Sequence, residues 1–253
     1  MNVSIRCVVL FLAPIAALHA SSFQNLNFES ASVASAPASY TPWDAYDPIS
    51  AASALPFWTV EEDNTGCNAV WRQPVALDET SVALVGAKGT QSDPQSGTPI
   101  QGKYSVALSS NPQTSGSGSP YFSFASIAQT GNVPVQAKSI VFLMEGAYGP
   151  APLVTLGGTP INLIALSDNN NVYTMAGDIS EFAGQNLELK FLCQGTGNRS
   201  VDFGESGFEL DNISFSTVAI PEPSSYAALI AGTALVGTWI FRRTIKRGQV
   251  SKG

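Results

Sequence analysis

Residues 103–110 read KYSVALSS, and this short run sets the fold class. Tyr104, Val106 and Leu108 share one parity and Ser105, Ala107 and Ser109 the other, which is the period-two alternation of a strand with one buried face. A helix would gather apolar residues every three to four positions, and no sustained run of that period occurs between Phe23 and Ile220. LELKFLCQ (187–194) repeats the alternation and predicts Leu187, Leu189, Phe191 and Cys193 as inward-facing. SIVFLMEG (139–146) is apolar on both parities, the pattern of a strand buried on both faces or sitting centrally in a sandwich. Further strands are expected at NLNFE (25–29), FWTV (57–60), SVALVG (81–86), YFSFASIA (121–128), LVTL (153–156), INLIAL (161–166) and NVYTM (171–175).

Pro- and Gly-rich loops separate these runs, as in SDPQSGTP (92–99) and NPQTSGSGSP (111–120). Only DISEFAG (178–184) reads as a turn of helix, with Asp178 as its cap and Gly184 just past its end. About ten short strands with regular turn signals imply an all-β, antiparallel β-sandwich. The last strand, GFELDNISFS (207–216), changes parity: Phe208 and Leu210 alternate, but Ile213 and Phe215 fall on the opposite set. One inserted residue near Asp211 and Asn212 explains this as a β-bulge, which re-aims a carboxylate.

The two ends of the chain are of another kind. Arg6 precedes an apolar run from Cys7 to Leu18, followed by small residues at Ala20, Ser21 and Ser22, the pattern of a secretory signal peptide over residues 1–22. That run is too short to span a bilayer, which needs about 20 residues. At the other end, Ser224 to Phe241 is an uncharged stretch of 18 residues with Trp239 near its border, followed by Arg242, Arg243, Lys246 and Arg247. This predicts a membrane helix whose basic flank stays cytoplasmic. Between the ends, residues 23–219 form the expected ectodomain, long enough to bury a substantial core.

Composition excludes several function classes for that ectodomain. From Phe23 to Ile220 six basic residues face eighteen of the chain's 19 acidic ones, so nucleic acid is not a partner. The single histidine, His19, lies in the signal peptide, which removes histidine general bases and imidazole-bound zinc from the mature protein. No G-x-S-x-G elbow is present. Glu61, Glu62 and Asp63 are contiguous, whereas a glycosidase pair flanks its bond from separate elements; the run reads as solvated. No cofactor is required by any motif, and the chain reads as non-enzymatic.

Three smaller sets of residues carry alternatives. Cys67 and Cys193 either pair in the oxidising compartment or remain two buried thiols. Glu29 and Asp211 could hold Ca²⁺ together with backbone carbonyls if the first and last strands adjoin, or else bond to loop amides. Tyr40, Trp43 and Tyr46, in YTPWDAYDP (40–48), offer stacking surfaces for sugar rings or fold back to cover core.

The tail IPEPSSYAALIAGTALVGTWIFRRTIKR (220–247) resembles the PEP-CTERM sorting signal of Gram-negative bacteria through Pro221, Glu222 and Pro223, one hydrophobic helix and a terminal basic cluster. Residues RRTIKRGQVSKG (242–253) depart from the commoner pattern of an immediate Arg run and stop. The resemblance implies export, transient anchoring in the inner membrane, processing of the 220–253 signal by an exosortase, and delivery to the cell surface, exopolysaccharide or biofilm matrix. NLNFES, LPFWTV, IQGKYSVALSS, SIAQTGNVP and FELDNISFS are similar to the jelly-roll ectodomains that accompany such tails, and in fold to galactose-binding-like carbohydrate-binding modules. In those modules a Glu on the first strand and an Asp on the last can ligate a structural calcium, and Glu29 and Asp211 occupy the matching places. Two functions are thus expected: a surface or matrix protein associated with polysaccharide, or a carbohydrate-binding module with calcium.

Overall fold

The computed structural model of the 253-residue chain describes residues 22–33, 48–63, 65–71, 80–86, 97–110, 123–148, 151–195 and 206–220. The expected signal peptide through Ser21, the Tyr40, Trp43 and Tyr46 loop, the Pro221, Glu222 and Pro223 motif, the 224–241 helix and Arg242, Arg243, Lys246 and Arg247 lie outside the described residues. Among the described residues no helix is long and apolar enough to cross a membrane.

In chain order the elements begin with β1 (Ile49–Ser50), α1 (Ala51–Ala54), β2 (Thr59–Glu62), β3 (Thr65–Gly66), β4 (Ala69–Val70), β5 (Ser81–Val85) and β6 (Ser105–Ser110). They continue with β7 (Phe124–Asn132), β8 (Ser139–Tyr148), β9 (Leu153–Leu156), β10 (Thr159–Pro160), β11 (Leu163–Asn169), β12 (Val172–Asp178), β13 (Asn186–Gln194) and β14 (Ser206–Ser216). A 3₁₀ turn at Ser180–Phe182 precedes β13. Among the described residues the strands form two six-stranded antiparallel sheets, one in the order β10-β9-β13-β7-β2-β3 and the other β11-β12-β8-β14-β6-β5, plus the small β1-β4 pair. The protein is an all-β sandwich.

Alternation places the core as the sequence predicts. On β13, Leu189, Phe191 and Cys193 are buried while Lys190 and Leu192 are half-exposed. On β6, Val106 and Leu108 turn inward. In the same sheet, Ile140, Phe142 and Met144 of β8 are buried. The edge of one ring meets the face of the other where Phe142 and Phe191 lie 5.2 Å apart at 85°, joining the two sheets at their centre. Trp58 extends this contact, 6.4 Å from Phe191 and 5.8 Å from Phe28.

One strand expectation holds in its second form and one changes. SIVFLMEG sits centrally, as β8 between β12 and β14, with Val141 and Leu143 half-exposed on the outer face of the sheet. NLNFE is not a strand. Residues 26–30 form consecutive turns, with Asn25 and Phe28 at φ of 49° and 58°, and the first ladder contact among the described residues is an isolated parallel bridge from Ser22 to Asn132. Phe28 is fully buried, so its ring plugs the sandwich and its packing against Trp58 offsets the left-handed backbone it adopts. The segment is held by side chains: the Trp58 indole N–H donates to the Asn25 carbonyl at 3.1 Å, and the Gln129 amide both accepts from Gln24 N–H and donates to its carbonyl.

The bulge in β14 is present where parity places it. Its pairing with β8 shifts between Asp211 and Ser214, and Asn212, exposed and at φ 49°, absorbs the extra residue. DISEFAG forms one 3₁₀ turn, with Asp178 accepting from both the Ser180 N–H and its hydroxyl and Gly184 at φ 77° just beyond.

Since Phe191 bridges both sheets, Phe191→Ala is expected to lower the unfolding free energy by about 3–5 kcal/mol. Denaturant unfolding monitored by tryptophan fluorescence measures this, and a loss below about 1 kcal/mol would mean that the sheets are not held together at this contact.

Candidate functional site

The bulge sets the chemistry of the outer face of β14. Glu209 and Asp211 share the outward parity, and the register puts Glu145 of β8 directly opposite Glu209. Below the bulge the strand no longer pairs with β6; Ile213 N–H instead donates to the Leu26 carbonyl at 2.9 Å. That bond brings the turn carrying Glu29 beside Asp211, close enough for the Glu29 charge to act on the Asp211 carboxyl.

A strap of backbone, residues 100–105, crosses these acids and supplies their partners. Lys103 and Tyr104 N–H groups donate to Glu29 Oε1 at 2.6 and 3.2 Å. Gln101 N–H donates to Asp211 Oδ2 at 3.0 Å, and Asn212 N–H to Oδ1 at 2.6 Å. Ile100 N–H, at 3.2 Å, and the Ser105 hydroxyl both donate to Glu209 Oε1. Gly102, at φ 67°, lies so close to Glu29 that a Cβ there would collide with its carboxylate, so only glycine closes the strap.

The electrostatics are those of acids gathered out of water. Burial pushes the Glu209 carboxyl up to about 7, with Glu145 and Asp211 adding to the rise and the Ser105 hydroxyl and Ile100 N–H opposing it. Burial likewise pushes Asp211 up to about 6; the N–H groups of Asn212 and Gln101 oppose the shift and the Glu29 charge adds to it. Asp211 is only 1% exposed.

Glu29 and Asp211 are thus brought together, but Glu29 comes from a turn and not from a first strand. As a calcium site the pair supplies part of the six to eight oxygens required, and the groups facing the carboxylates are N–H donors, which cannot ligate a cation. Among the described residues no three His, Cys, Asp or Glu side chains converge as a metal set. Glu209, the most strongly shifted acid of the cluster, was not singled out from sequence; the signal was its parity with Asp211, but its pairing with Glu145 depends on a register that one sequence does not reveal.

The cysteines and the acidic run are placed residue by residue. Cys67 and Cys193 are not joined. Cys67 N–H donates to Val60 O, which continues β3 along β2, while Cys193 lies opposite Ala125. Strands β2 and β7 stand between them. Three inter-strand spacings of about 4.8 Å exceed the ~7 Å Cα limit for a disulfide. Burial, with the Glu62 charge as the next contribution, raises the Cys67 thiol to about 11 and keeps it a weak nucleophile. The acidic run is engaged, not simply solvated: Glu61 pairs with Lys190 at 2.6 Å, Glu62 Oε1 accepts from Val82 N–H, and Asp63 Oδ1 accepts from Phe124 N–H.

No family model and no curated protein matches the chain. Among solved structures it is similar to the enzymatically active domain of bacteriophage CBA120 tailspike protein 4, at 15% identity and a TM-score of 0.32, over 64% of this chain and 19% of that one. It is also similar to a beta-glucosidase from Kluyveromyces marxianus in complex with glucose, at 13% identity and a TM-score of 0.26, over 81% of this chain and 19% of that one. The chain spans about a fifth of the length of these structures.

Both acids carry folded-state values above their ordinary ones, so the folded protein holds protons that the unfolded chain releases. Stability from this source is fully present below the ordinary carboxyl range and is lost as pH rises through about 6 and 7. The melting temperature is therefore expected to fall between about pH 5 and pH 8, and Glu209→Gln to remove much of that slope. A melting temperature that rises over this interval would contradict the assignment.

Proposed function

We propose that the chain is an exported, non-enzymatic surface or matrix protein. Residues 1–22 start export, the sandwich over 23–219 is the working part, and residues 220–253 hold it transiently in the inner membrane. An exosortase then processes the tail near Pro221, Glu222 and Pro223, and the product associates with exopolysaccharide at the cell surface or in the biofilm matrix. The sandwich is read as a jelly roll of the galactose-binding-like kind.

One structural observation carries this reading. The two ends of the described chain meet at a single pole of the sandwich: Ser22 bridges to Asn132, and the Phe23 ring stacks on Phe215, near the end of β14, at 5.1 Å. Two membrane-directed segments attached there reach the same bilayer without either crossing the domain. The large excess of acids over bases supports a hydrated, polymer-facing surface over contact with polyanions.

A second reading, a carbohydrate-binding module with a structural calcium, is supported by the approach of Glu29 to Asp211. There Tyr40, Trp43 and Tyr46 would stack on sugar rings. Calcium would screen the repulsion between the two carboxylates and pin the 26–30 turn to β14.

Expression of the full chain in a Gram-negative host with and without an exosortase tests the first reading. A membrane-bound precursor is expected without the enzyme, and a shorter product at the surface or in the medium with it. A chain that stays soluble in the cytoplasm, or keeps its full mass at the surface, would overturn it. For the second reading, calorimetric Ca²⁺ titration should give heat that Asp211→Ala abolishes, and a glycan array should show a signal lost in Trp43→Ala; silence in both removes it.

A further inference from the structure

We propose that the pole of the sandwich at which both chain ends emerge is a lipid-facing surface, with Val135 and Val218 as its apolar contacts to the bilayer. The proposal rests on reading residues 224–241 as a membrane span.

Among the described residues this pole includes the turn over residues 133–138, the turn over 179–185 and the stretch after β14. The first two are locked together, since Val133 N–H donates to Gln185 O at 2.9 Å and Gly184 N–H to Val133 O at 3.0 Å. A 2.9 Å bond from Ala137 N–H to Pro134 O closes the first turn. Lys138 N–H then donates to Ser216 O at 2.8 Å and ties it to the last strand. Val218 is fixed in the same way, its carbonyl accepting from the Ser139 hydroxyl at 2.8 Å and its N–H donating to Ser216 Oγ at 3.1 Å.

These bonds leave two β-branched apolar side chains aimed into solvent, Val135 at 78% and Val218 at 70% exposure. Isolated exposed valines are ordinary, but these two sit where the chain leaves for the uncharged run, and that run gives their position its meaning. Only Pro221, Glu222 and Pro223 separate Ile220 from Ser224, where the run starts. That link reaches about 14 Å at full extension, and two of its three residues are stiff prolines. The pole is therefore confined close to the headgroups. So short a tether raises the effective concentration of the two surfaces, and a weak apolar contact suffices to orient the domain.

Charge selects the kind of lipid surface. The pole carries Lys138 against Asp178 and Glu181, and the Asp178 carboxyl is held below the usual carboxylate range by hydrogen bonds from Ser180. It is thus not attracted to an anionic leaflet, and the occupant is a zwitterionic surface.

The test uses the full chain reconstituted in phosphatidylcholine vesicles containing a nitroxide-labelled lipid. An environment-sensitive fluorescent amino acid is placed singly at Gln136 on the pole, at Asn170 in the β11-β12 turn at the opposite end, or at Ala231 in the uncharged run. Quenching at 136 and 231 with none at 170 is expected. The double variant Val135→Ser, Val218→Ser, whose changes are on the surface, should cut quenching at 136 at least twofold and leave 231 unchanged. Replacing part of the phosphatidylcholine by phosphatidylglycerol should weaken it. Quenching at 231 without quenching at 136, or equal quenching at 136 and 170, overturns the lipid-facing pole while sparing the membrane span. Loss of quenching at 231 overturns both.

Discussion

One inserted residue in the last strand governs much of the architecture. With strict alternation after Leu210, Ile213 and Phe215 would point outward with Glu209 and Asp211. Asn212 takes the surplus backbone at φ 49°, Ile213 returns to the core at 3% exposure, and Phe215 reaches the ring of Phe23. The same shift turns the strand's edge from β6 toward the N-terminal segment, so that Leu26 receives the Ile213 N–H. Carboxylate cluster, strap and shared pole all depend on that exchange of partners.

Acids and strap solve each other's problem. Residues 100–104 precede β6 and have no ladder of their own, yet their N–H groups need acceptors when covered. Glu209 faces Glu145 across the sheet, an arrangement that like charges disfavour. The N–H groups of the strap supply the partial positive charge, and the carboxylates supply the missing acceptors. Burial, which these hydrogen bonds only partly offset, is what keeps Glu209 and Asp211 above their ordinary range.

Period-two patterning made most of the sandwich legible before any coordinates. KYSVALSS and LELKFLCQ became β6 and β13 with their apolar parity turned inward, LVTL became β9, and the parity break in GFELDNISFS located the bulge. Readings that depended on tertiary partners were less secure. NLNFE alternates like a strand, but Phe28 is needed as a plug beneath Trp58, and the chain turns to place it there. Cys67 and Cys193 were eligible to bridge only because strand order, which sets their separation, is not written in either strand. Proximity of Glu29 to Asp211 was readable from the bulge and from the closeness of chain ends; the N–H groups that surround them were not, since a loop's backbone donors leave no mark in its side chains.

Strand β14 sits in the interior of its sheet, flanked by β8 on one side and β6 on the other, and the chain leaves it at Ser216 toward Ile220. Any pull on the chain beyond Ile220 is therefore applied along the axis of an internal strand. Such a load shears two hydrogen-bonded ladders at once instead of opening them bond by bond. Mechanical resistance, more than thermodynamic stability, is the property that this placement of the final strand confers.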